Sequence, residues 1–405
     1  MTSFVAALLV FAVTYVVMAI GKLPGYRLDR AGAALLGASL MVGLGVLSLD
    51  EAFAAIDMET ITLLLGMMIV VANLRLSGFF RLVNAYVVTR AGHPLALLAA
   101  IVVVAGVLSA FLVNDTICLV MTPLVVDLVT RLKRNPVPYL LALAMASNAG
   151  SVATITGNPQ NMIIGSLSKI PYTTFAASLA PVAAVALLLT IVLVALFHPK
   201  EFLTRERLVA PPSGVVRYHR PLVLKSLAIL AGMIVFFFAG WPIAEVAILA
   251  GAFLLVTRRI KAEKVYFDID WPLLVMFSGL FVVVAGFDKA VLGEEVTAAV
   301  GRLGIGDAPV LAGLTAVLSN LVSNVPAVLV LEPFVVRLAD PERAWTLVAM
   351  AATLAGNFTL VGSVANLIVA QKAQRDGIVV GFLPYFRVGA PLTILSIAFG
   401  VFWLG

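Results

Sequence analysis

Long apolar runs alternate with short polar loops along this chain, which is the pattern of a helical protein that crosses a membrane several times. A run of about 20 apolar residues is long enough to cross the hydrocarbon layer as a helix. We predict about ten such spans, at about 4–20, 31–49, 60–74, 139–168, 173–197, 222–240, 242–257, 271–287, 345–374 and 384–404. The predicted fold is an all-α polytopic membrane protein.

Two further apolar segments, about 94–132 and 308–338, are each interrupted near the middle by a polar break that contains asparagine. Each segment could form two spans or one re-entrant helical hairpin. Two spans return the chain to the same side of the membrane, so the choice does not change the orientation of the other spans. We predict a re-entrant hairpin for each segment.

The polar breaks occur in pairs. LSAFLVNDTICLVMTP, at 108–123, resembles LSNLVSNVPAVLVLEP, at 318–333, and TITGNPQN, at 154–161, resembles TLVGSVAN, at 359–366. Paired Gly- or Pro-containing interruptions in corresponding halves of a membrane protein indicate the binding site of a secondary transporter. We therefore predict two inverted repeats with a cytoplasmic linker between them, and a hairpin and a broken helix in each repeat. The first repeat covers 1–197, the linker 198–221 and the second repeat 222–405, and the broken helices lie at about 139–168 and 345–374.

Composition supports this interpretation. The chain is 62% hydrophobic and 12% charged, with a mean hydropathy of +1.10, which excludes a soluble protein of this length. The net charge of +6 comes from basic residues in short loops, so we expect a lipid bilayer as partner and no nucleic acid. If both termini lie outside, most of these basic residues fall in the inside loops, as expected for a multi-pass protein of a bacterial-type inner membrane.

Several classes of chemistry are unsupported by the residues present. The single cysteine excludes a disulfide framework and a Cys-rich metal site, and we expect no cofactor and no metal. There is no phosphate-binding loop, no His-Glu metal motif and no Ser/His/Asp set, so we expect no enzyme. Any pumping by this chain alone must use an ion gradient, and the sequence leaves an associated ATPase subunit open.

Each break carries the residues of a polar cavity. Irregular backbone at membrane depth persists only where it is buried in protein or lines a wet cavity. Asn158 followed by Pro159 is a start signal for a new half-helix, whose N–H groups favour an anion or a polar oxygen. Gly362 and Ser363 provide the break and the cap in the second half. We predict that the following residues bind substrate: Asn114, Thr116, Thr154, Thr156, Gly157, Asn158, Asn161, Ser323, Asn324, Thr359, Gly362, Ser363 and Asn366.

Asp115 breaks the symmetry of the repeat, because Val325 occupies the equivalent position. A carboxylate at the membrane midplane is costly unless it is protonated, paired or bound to a cation. We therefore predict that Asp115 couples transport to an ion, which we expect to be H⁺ and alternatively Na⁺. A structural alternative is that Asp115 caps the second hairpin helix. Asn114 and Asn324 are equivalent, so we expect their replacement to weaken binding comparably.

The motifs resemble those of the ion-transporter superfamily that contains arsenite permeases, divalent-anion and citrate symporters and some Na⁺/H⁺ antiporters. In both tips an asparagine precedes a proline by nine residues, Asn114 to Pro123 and Asn324 to Pro333. The Asn-Asp of the first tip and the GNPQN run at 157–161 are most similar to arsenite-permease-like bacterial anion permeases. The resemblance implies substrate held between hairpin tips and broken helices, a homodimer and elevator-like alternating access.

We expect a secondary active transporter, proton-coupled through Asp115, for a small anion or a neutral oxyacid of the arsenite or antimonite type. No Lys or Arg lies at either break, which argues mildly against a substrate held by a salt bridge. Three alternatives stay open: a Na⁺/H⁺ antiporter, a Na⁺- or H⁺-coupled symporter of di- or tricarboxylates or sulfate, and, in another class, a passive anion channel.

Overall fold

The structure is a computed structural model, and it describes residues 3–21, 26, 28–90, 92–204, 207–208, 218–257, 259–293 and 302–405. Within these residues the chain forms α-helices and one short 3₁₀ helix, Ile155–Gly157, and no β-strand. The α-helices are Ser3–Ile20 (α1), Arg30–Gly43 (α2), Leu49–Ala55 (α3), Met58–Ser77 (α4), Phe79–Arg90 (α5), Pro94–Phe111 (α6), Asn114–Arg131 (α7), Pro136–Ser151 (α8), Pro159–Ser168 (α9), Tyr172–Phe197 (α10), Pro199–Phe202 (α11), Arg220–Phe238 (α12), Ile243–Leu255 (α13), Ala262–Phe267 (α14), Trp271–Val291 (α15), Ala308–Val322 (α16), Asn324–Val335 (α17), Pro341–Ala355 (α18), Val364–Arg375 (α19) and Phe382–Leu404 (α20).

Seven of the described helices are long and apolar enough to cross a membrane. They are α1, α4, α6, α10, α12, α15 and α20. The protein is therefore an all-α, multi-pass membrane protein, as its hydropathy pattern predicts. The span predicted at about 31–49 is wrong in length, because α2 ends at Gly43 and the chain turns through Gly45, whose φ is +72°. Ser48 then caps the separate short helix α3.

Helices from the two halves pack against each other in matching pairs. Helix α4 packs on α13, and α15 packs on α2. A glycine allows the close approach in each pair: a Cβ on Gly66 would lie 2.5 Å from the backbone of Ala247, and one on Gly279 would lie 2.7 Å from the backbone of Ala34. Any larger side chain would push the helices apart. These pairs stand beside the hairpins and broken helices.

Both predicted hairpin segments form two helices joined by a tight connection. Leu112 and Val113 separate α6 from α7, and Ser323 alone separates α16 from α17 with a φ of 80°. Each second helix contains an internal proline, Pro123 or Pro333. The first helix of each pair packs on the following broken helix, α6 on α8 and α16 on α18. The tips therefore lie beside the breaks.

Both predicted broken helices are interrupted as the sequence indicates. Helix α8 ends at Ser151 and α9 begins at Pro159, while α18 ends at Ala355 and α19 begins at Val364. Each break thus leaves several backbone groups outside regular helical hydrogen bonding. These groups belong to the polar site between the two halves.

The predicted linker, 198–221, lies partly outside the described residues, which omit 205–206 and 209–217. Its first part forms the short helix α11, which contacts the loop after α7 and the start of α8. The Arg134 Nε atom donates to Glu201 at 2.8 Å, and the Tyr139 hydroxyl donates to the same carboxylate at 3.0 Å.

Candidate functional site

The two half-helices α9 and α19 begin with side-chain caps at equivalent positions. The Asn158 side chain accepts a hydrogen bond from the Asn161 backbone N–H at 2.9 Å, and Pro159 follows at the first helical position. The Ser363 side chain accepts from the Ala365 backbone N–H at 3.2 Å. Both caps are confirmed. They fix the start of each half-helix beside the break, as expected for residues with short polar side chains.

Two equivalent asparagines donate side-chain hydrogen bonds to backbone carbonyls of the breaks. The Asn161 Nδ2 atom donates to the Thr154 carbonyl at 3.0 Å, and the Asn366 Nδ2 atom donates to the Thr359 carbonyl at 3.1 Å. Both asparagines are buried. Each carbonyl also accepts a backbone N–H three residues further on, from Gly157 or Gly362, so the asparagine amide adds a second hydrogen bond that fixes the break.

Asn148, on α8, connects the first hairpin tip to the second break. Its Oδ1 atom accepts from Asn114 Nδ2 at 3.0 Å and from Ser363 Oγ at 3.2 Å. Its Nδ2 atom donates to Asn366 Oδ1 at 3.0 Å and to Asn357 Oδ1 at 2.9 Å. A chain of neutral amides and hydroxyls thus crosses between the halves. It is buried, so its geometry is strongly fixed.

Thr353, on α18, makes the reciprocal connection. Its hydroxyl accepts from Asn158 Nδ2 at 3.2 Å and from Gln160 Nε2 at 3.0 Å. It donates to Asn161 Oδ1 at 3.4 Å. In each broken helix, one side chain thus contacts the capping residue of the other half, and also the asparagine three residues after that cap. The two breaks form one buried polar network.

The second tip is held differently from the first. The Ser319 hydroxyl lies 2.6 Å from Asn324 Oδ1 and 2.9 Å from the Ala352 carbonyl oxygen, and its one proton is shared between these two acceptors. Neither of these partners belongs to the other half. Ser323 is half-buried and forms the connection between α16 and α17. The structure therefore brings Asn114 into the crossing network and holds Asn324 within its own half.

Asp115 and Thr116 line a cavity of about 330 Å³ beside the first tip, which we call the tip cavity. The charged residues in its described wall are Asp115, Asp268, Asp270 and Arg75. Arg75 forms an ion pair with Asp268, and the Asp270 side chain caps α15. Of the three carboxylates in the described wall, Asp115 lies at a hairpin tip, whereas Asp268 and Asp270 lie just before α15.

Asp115 does not cap α7, so that structural alternative is wrong. The helix begins one residue earlier, with Val113 in the capping position and no side-chain cap hydrogen bond. Asp115 therefore stands in the first turn of α7, half-buried against the tip cavity. Its neighbour Asn114 has a buried Oδ1 atom with no hydrogen-bond partner among the described residues.

The remaining predicted residues of the first break lie around the network and do not enter its centre. Thr154 donates to the Ala110 carbonyl, and the Thr156 hydroxyl lies 2.9 Å from the Tyr172 hydroxyl. Gly157 presses against α8, since a Cβ there would lie 2.1 Å from the Ser151 carbonyl oxygen. In the second break, Gly362 lies close to the Asn320 side chain. These residues shape the break and hold its backbone.

Asn148 and Thr353 are absent from the residues predicted to bind substrate. They are separated by the offset of 205 that relates TITGNPQN to TLVGSVAN. Both stand in helical stretches of mostly small residues, where a buried amide or hydroxyl needs partners. Extending the repeat six positions toward the N-terminus from the motif starts, Thr154 and Thr359, would have found them.

The family follows from a comparison of the whole sequence with known proteins. A sequence profile described as "Citrate transporter" (CitMHS) matches residues 8–355. The chain belongs to the citrate transporter family. This confirms the resemblance to the ion-transporter superfamily, and the family and its relatives are transporters.

Similar proteins extend over the full length. The "Silicon efflux transporter LSI3" of Oryza sativa subsp. japonica is 29% identical, covering 98% of this chain and 96% of its own. An uncharacterized transporter of Mycobacterium tuberculosis is 30% identical and covers 98% of both chains. The solved structure of the Alcanivorax borkumensis YdaH transporter, described as having an unusual topology, aligns with a TM-score of 0.62 at 18% identity, covering 99% of this chain and 96% of that one. That structure supports the fold of this family member.

Proposed function

We propose that this family member is a proton-coupled secondary transporter of a small, uncharged or singly charged oxyacid, of the arsenite or silicic acid type. The observation that carries the proposal is the buried network of neutral amides and hydroxyls with Asp115 at its edge. A site built from neutral hydrogen-bonding groups suits a small molecule that carries hydroxyl groups. The absence of Lys and Arg from both tips and both breaks argues against a substrate of high negative charge.

The unpartnered Oδ1 atom of Asn114 supports the same substrate class. A buried acceptor without a donor costs free energy, about 1–3 kcal/mol, which a hydroxyl of the substrate would recover. A fully deprotonated anion has no hydrogen to donate to that atom. An oxyacid that keeps its protons can donate to Asn114 and accept from the surrounding amides.

Coupling to protons rests on the position of Asp115. It lines the tip cavity one residue from the crossing network, so protonation there can accompany a change at the binding site. Val325 occupies the equivalent position in the second tip, so only the first tip has a carboxylate at this position. A single carboxylate can carry one coupling proton in each transport cycle. We propose H⁺ as the coupling ion, two inverted repeats with re-entrant hairpins, a homodimer, and both termini outside an inner membrane.

The dimensions of α17 support re-entrance of the second hairpin. Its 12 residues span about 18 Å, which is less than the roughly 30 Å of hydrocarbon that a complete crossing requires.

The name of one relative supports the substrate class. The name of the LSI3 protein assigns it silicon efflux, and silicon dissolves at neutral pH as an uncharged oxyacid.

Two other functions have a specific observation in their favour. The carboxylates of the tip cavity, Asp115, Asp268 and Asp270, suit a cation and favour Na⁺/H⁺ antiport. The family description favours citrate, whose carboxylates could bind at the half-helix N-termini of α9 and α19.

Flux measurements in proteoliposomes separate these functions. We would impose a pH gradient, with and without Na⁺, and follow arsenite, silicic acid, sulfate, succinate and citrate. We expect pH-driven movement of an uncharged oxyacid without Na⁺. If only citrate moved, the protein would be a citrate transporter and the proposed oxyacid substrate would be wrong. If Na⁺ dissipated the pH gradient without any of these substrates, the protein would be a Na⁺/H⁺ antiporter.

A further inference from the structure

A second cavity, of about 260 Å³, adjoins the tip cavity and has the opposite charge. Its charged wall residues among those described are Arg75, Arg81 and Lys372, and no carboxylate lines it. The two cavities share Arg75 and Leu119. We call this second cavity the antechamber. The basic and the acidic cavity thus share a single charged side chain, Arg75.

The Arg75–Asp268 ion pair marks the boundary. Arg75 lies in both walls and is 34% exposed, whereas Asp268 is 11% exposed and belongs to the tip cavity alone. The pair therefore places the carboxylate on the acidic side and leaves the guanidinium open to the basic side. An anion in the antechamber therefore faces the Arg75 guanidinium and no carboxylate among the described wall residues.

Lys372 supplies the positive charge of the antechamber that has no counter-ion. It is half-buried in the last turn of α19, and the structure gives it no ion pair with a described carboxylate. A half-buried ammonium interacts more strongly with an anion than a fully exposed one, because less water screens it. The cavity is also large enough for a small oxyanion with its waters, since water takes about 30 Å³ per molecule.

We propose that the antechamber is a binding site for a small tetrahedral oxyanion, separate from the crossing network at the tips. The site collects the anion on the side that the basic loops predict to be cytoplasmic. An oxyacid bound there as a singly charged anion would take one proton from the water of the antechamber, pass Arg75 and enter the acidic tip cavity uncharged. This role in substrate supply rests on the proposed transport function, whereas binding itself does not.

Calorimetric titration of the purified protein with inorganic phosphate tests the site without transport. Lys372→Gln should weaken phosphate binding about fivefold, the effect of one nearby charge in a wet site. Lys372→Arg should retain the parent affinity. Lys200→Gln is the matched control, because Lys200 is exposed on the same predicted side and lines neither cavity, and it should leave the affinity unchanged.

Asn114→Ala distinguishes the two cavities. We expect this variant to raise the KM for transport about tenfold and to keep the parent's affinity for phosphate. Loss of phosphate binding in Asn114→Ala, with Lys372→Gln unaffected, would place the anion at the tips and overturn the proposal. Failure of the parent to bind phosphate would overturn it as well. Phosphate binding that follows Lys372, in a protein that moves no oxyacid, would uphold the antechamber and reject the transport function.

Discussion

The two hairpin tips are built from the same repeat and hold their asparagines in different ways. Asn114 donates to Asn148 and so joins the network that crosses to the second break, while Asn324 accepts from Ser319 within its own half. The residue after each asparagine differs too, a carboxylate in Asp115 and an apolar side chain in Val325. The duplicated framework thus provides two breaks, and the differences favour our proposal that coupling and binding are concentrated at the first tip.

The comparison of the tips is tested most strongly at Asp115. Asp115→Asn should abolish pH-driven uptake while leaving exchange of substrate at equal concentrations, because the amide keeps the shape and cannot accept a coupling proton. Uptake and exchange would be measured in proteoliposomes at matched protein density. Asp127→Asn is the control, since Asp127 lies on the same helix and pairs with Arg131 at the surface. Unchanged pH-driven uptake in Asp115→Asn would refute the coupling role.

The next largest contrast is between Asn148 and Thr353. Asn148→Ala leaves partners on the first tip and the second break unsatisfied, at about 1–3 kcal/mol for a buried polar group. Thr353→Val should cost less, about 1 kcal/mol, because Asn158 keeps its bonds to Ser151. Thermal midpoints of unfolding in detergent give the order of destabilisation of the two variants. The KM for substrate should also rise more in Asn148→Ala than in Thr353→Val. Equal destabilisation would contradict the unequal sharing of the network.

The two tip asparagines give a smaller contrast. Their equivalence in the sequence predicts comparable effects, whereas their contacts predict an unequal one. Asn114→Ala should raise the KM about tenfold, and Asn324→Ala should raise it less than fivefold, as expected from loss of one or two hydrogen bonds. Initial rates of uptake over a range of substrate concentrations measure both. A larger effect at Asn324 would move the binding site toward the second tip.

The smallest contrast concerns the break glycines. A Cβ on Gly157 would lie 2.1 Å from the Ser151 carbonyl oxygen, whereas one on Gly362 would meet the Asn320 side chain at 2.8 Å. A backbone atom cannot move as easily as a side chain. Gly157→Ala should therefore destabilise the protein by about 1–3 kcal/mol, and Gly362→Ala by less. The thermal midpoints of the two variants provide the check, and the reverse order would contradict the packing of the first break.

The sequence predicts the breaks well because their signals are local. Asn158 before Pro159, and Gly362 before Ser363, specify where each half-helix starts, and the structure confirms both caps. Helix ends that depend on a single turn are less predictable, as the early end of α2 near Gly45 shows. The displacement of Asp115 from the capping position follows from α7 beginning at Asn114.

The crossing contacts of the site lie beyond local signals. Asn148 and Asn357 are 209 residues apart, and their hydrogen bond depends on how α8 packs beside the second break. No periodicity or capping rule specifies such a pair. The repeat offers partial information, because it relates Asn148 to Thr353, but it does not say that each reaches into the other half.

The most direct test of the central claim is proton movement driven by substrate. Proteoliposomes with a pH-sensitive dye inside would receive a gradient of the transported oxyacid, without Na⁺ and without an imposed pH difference. We predict a change of internal pH that depends on the substrate, is absent from Asp115→Asn and is retained by Asp127→Asn. Substrate movement with no change of internal pH, or an absolute requirement for Na⁺, would contradict proton coupling through Asp115.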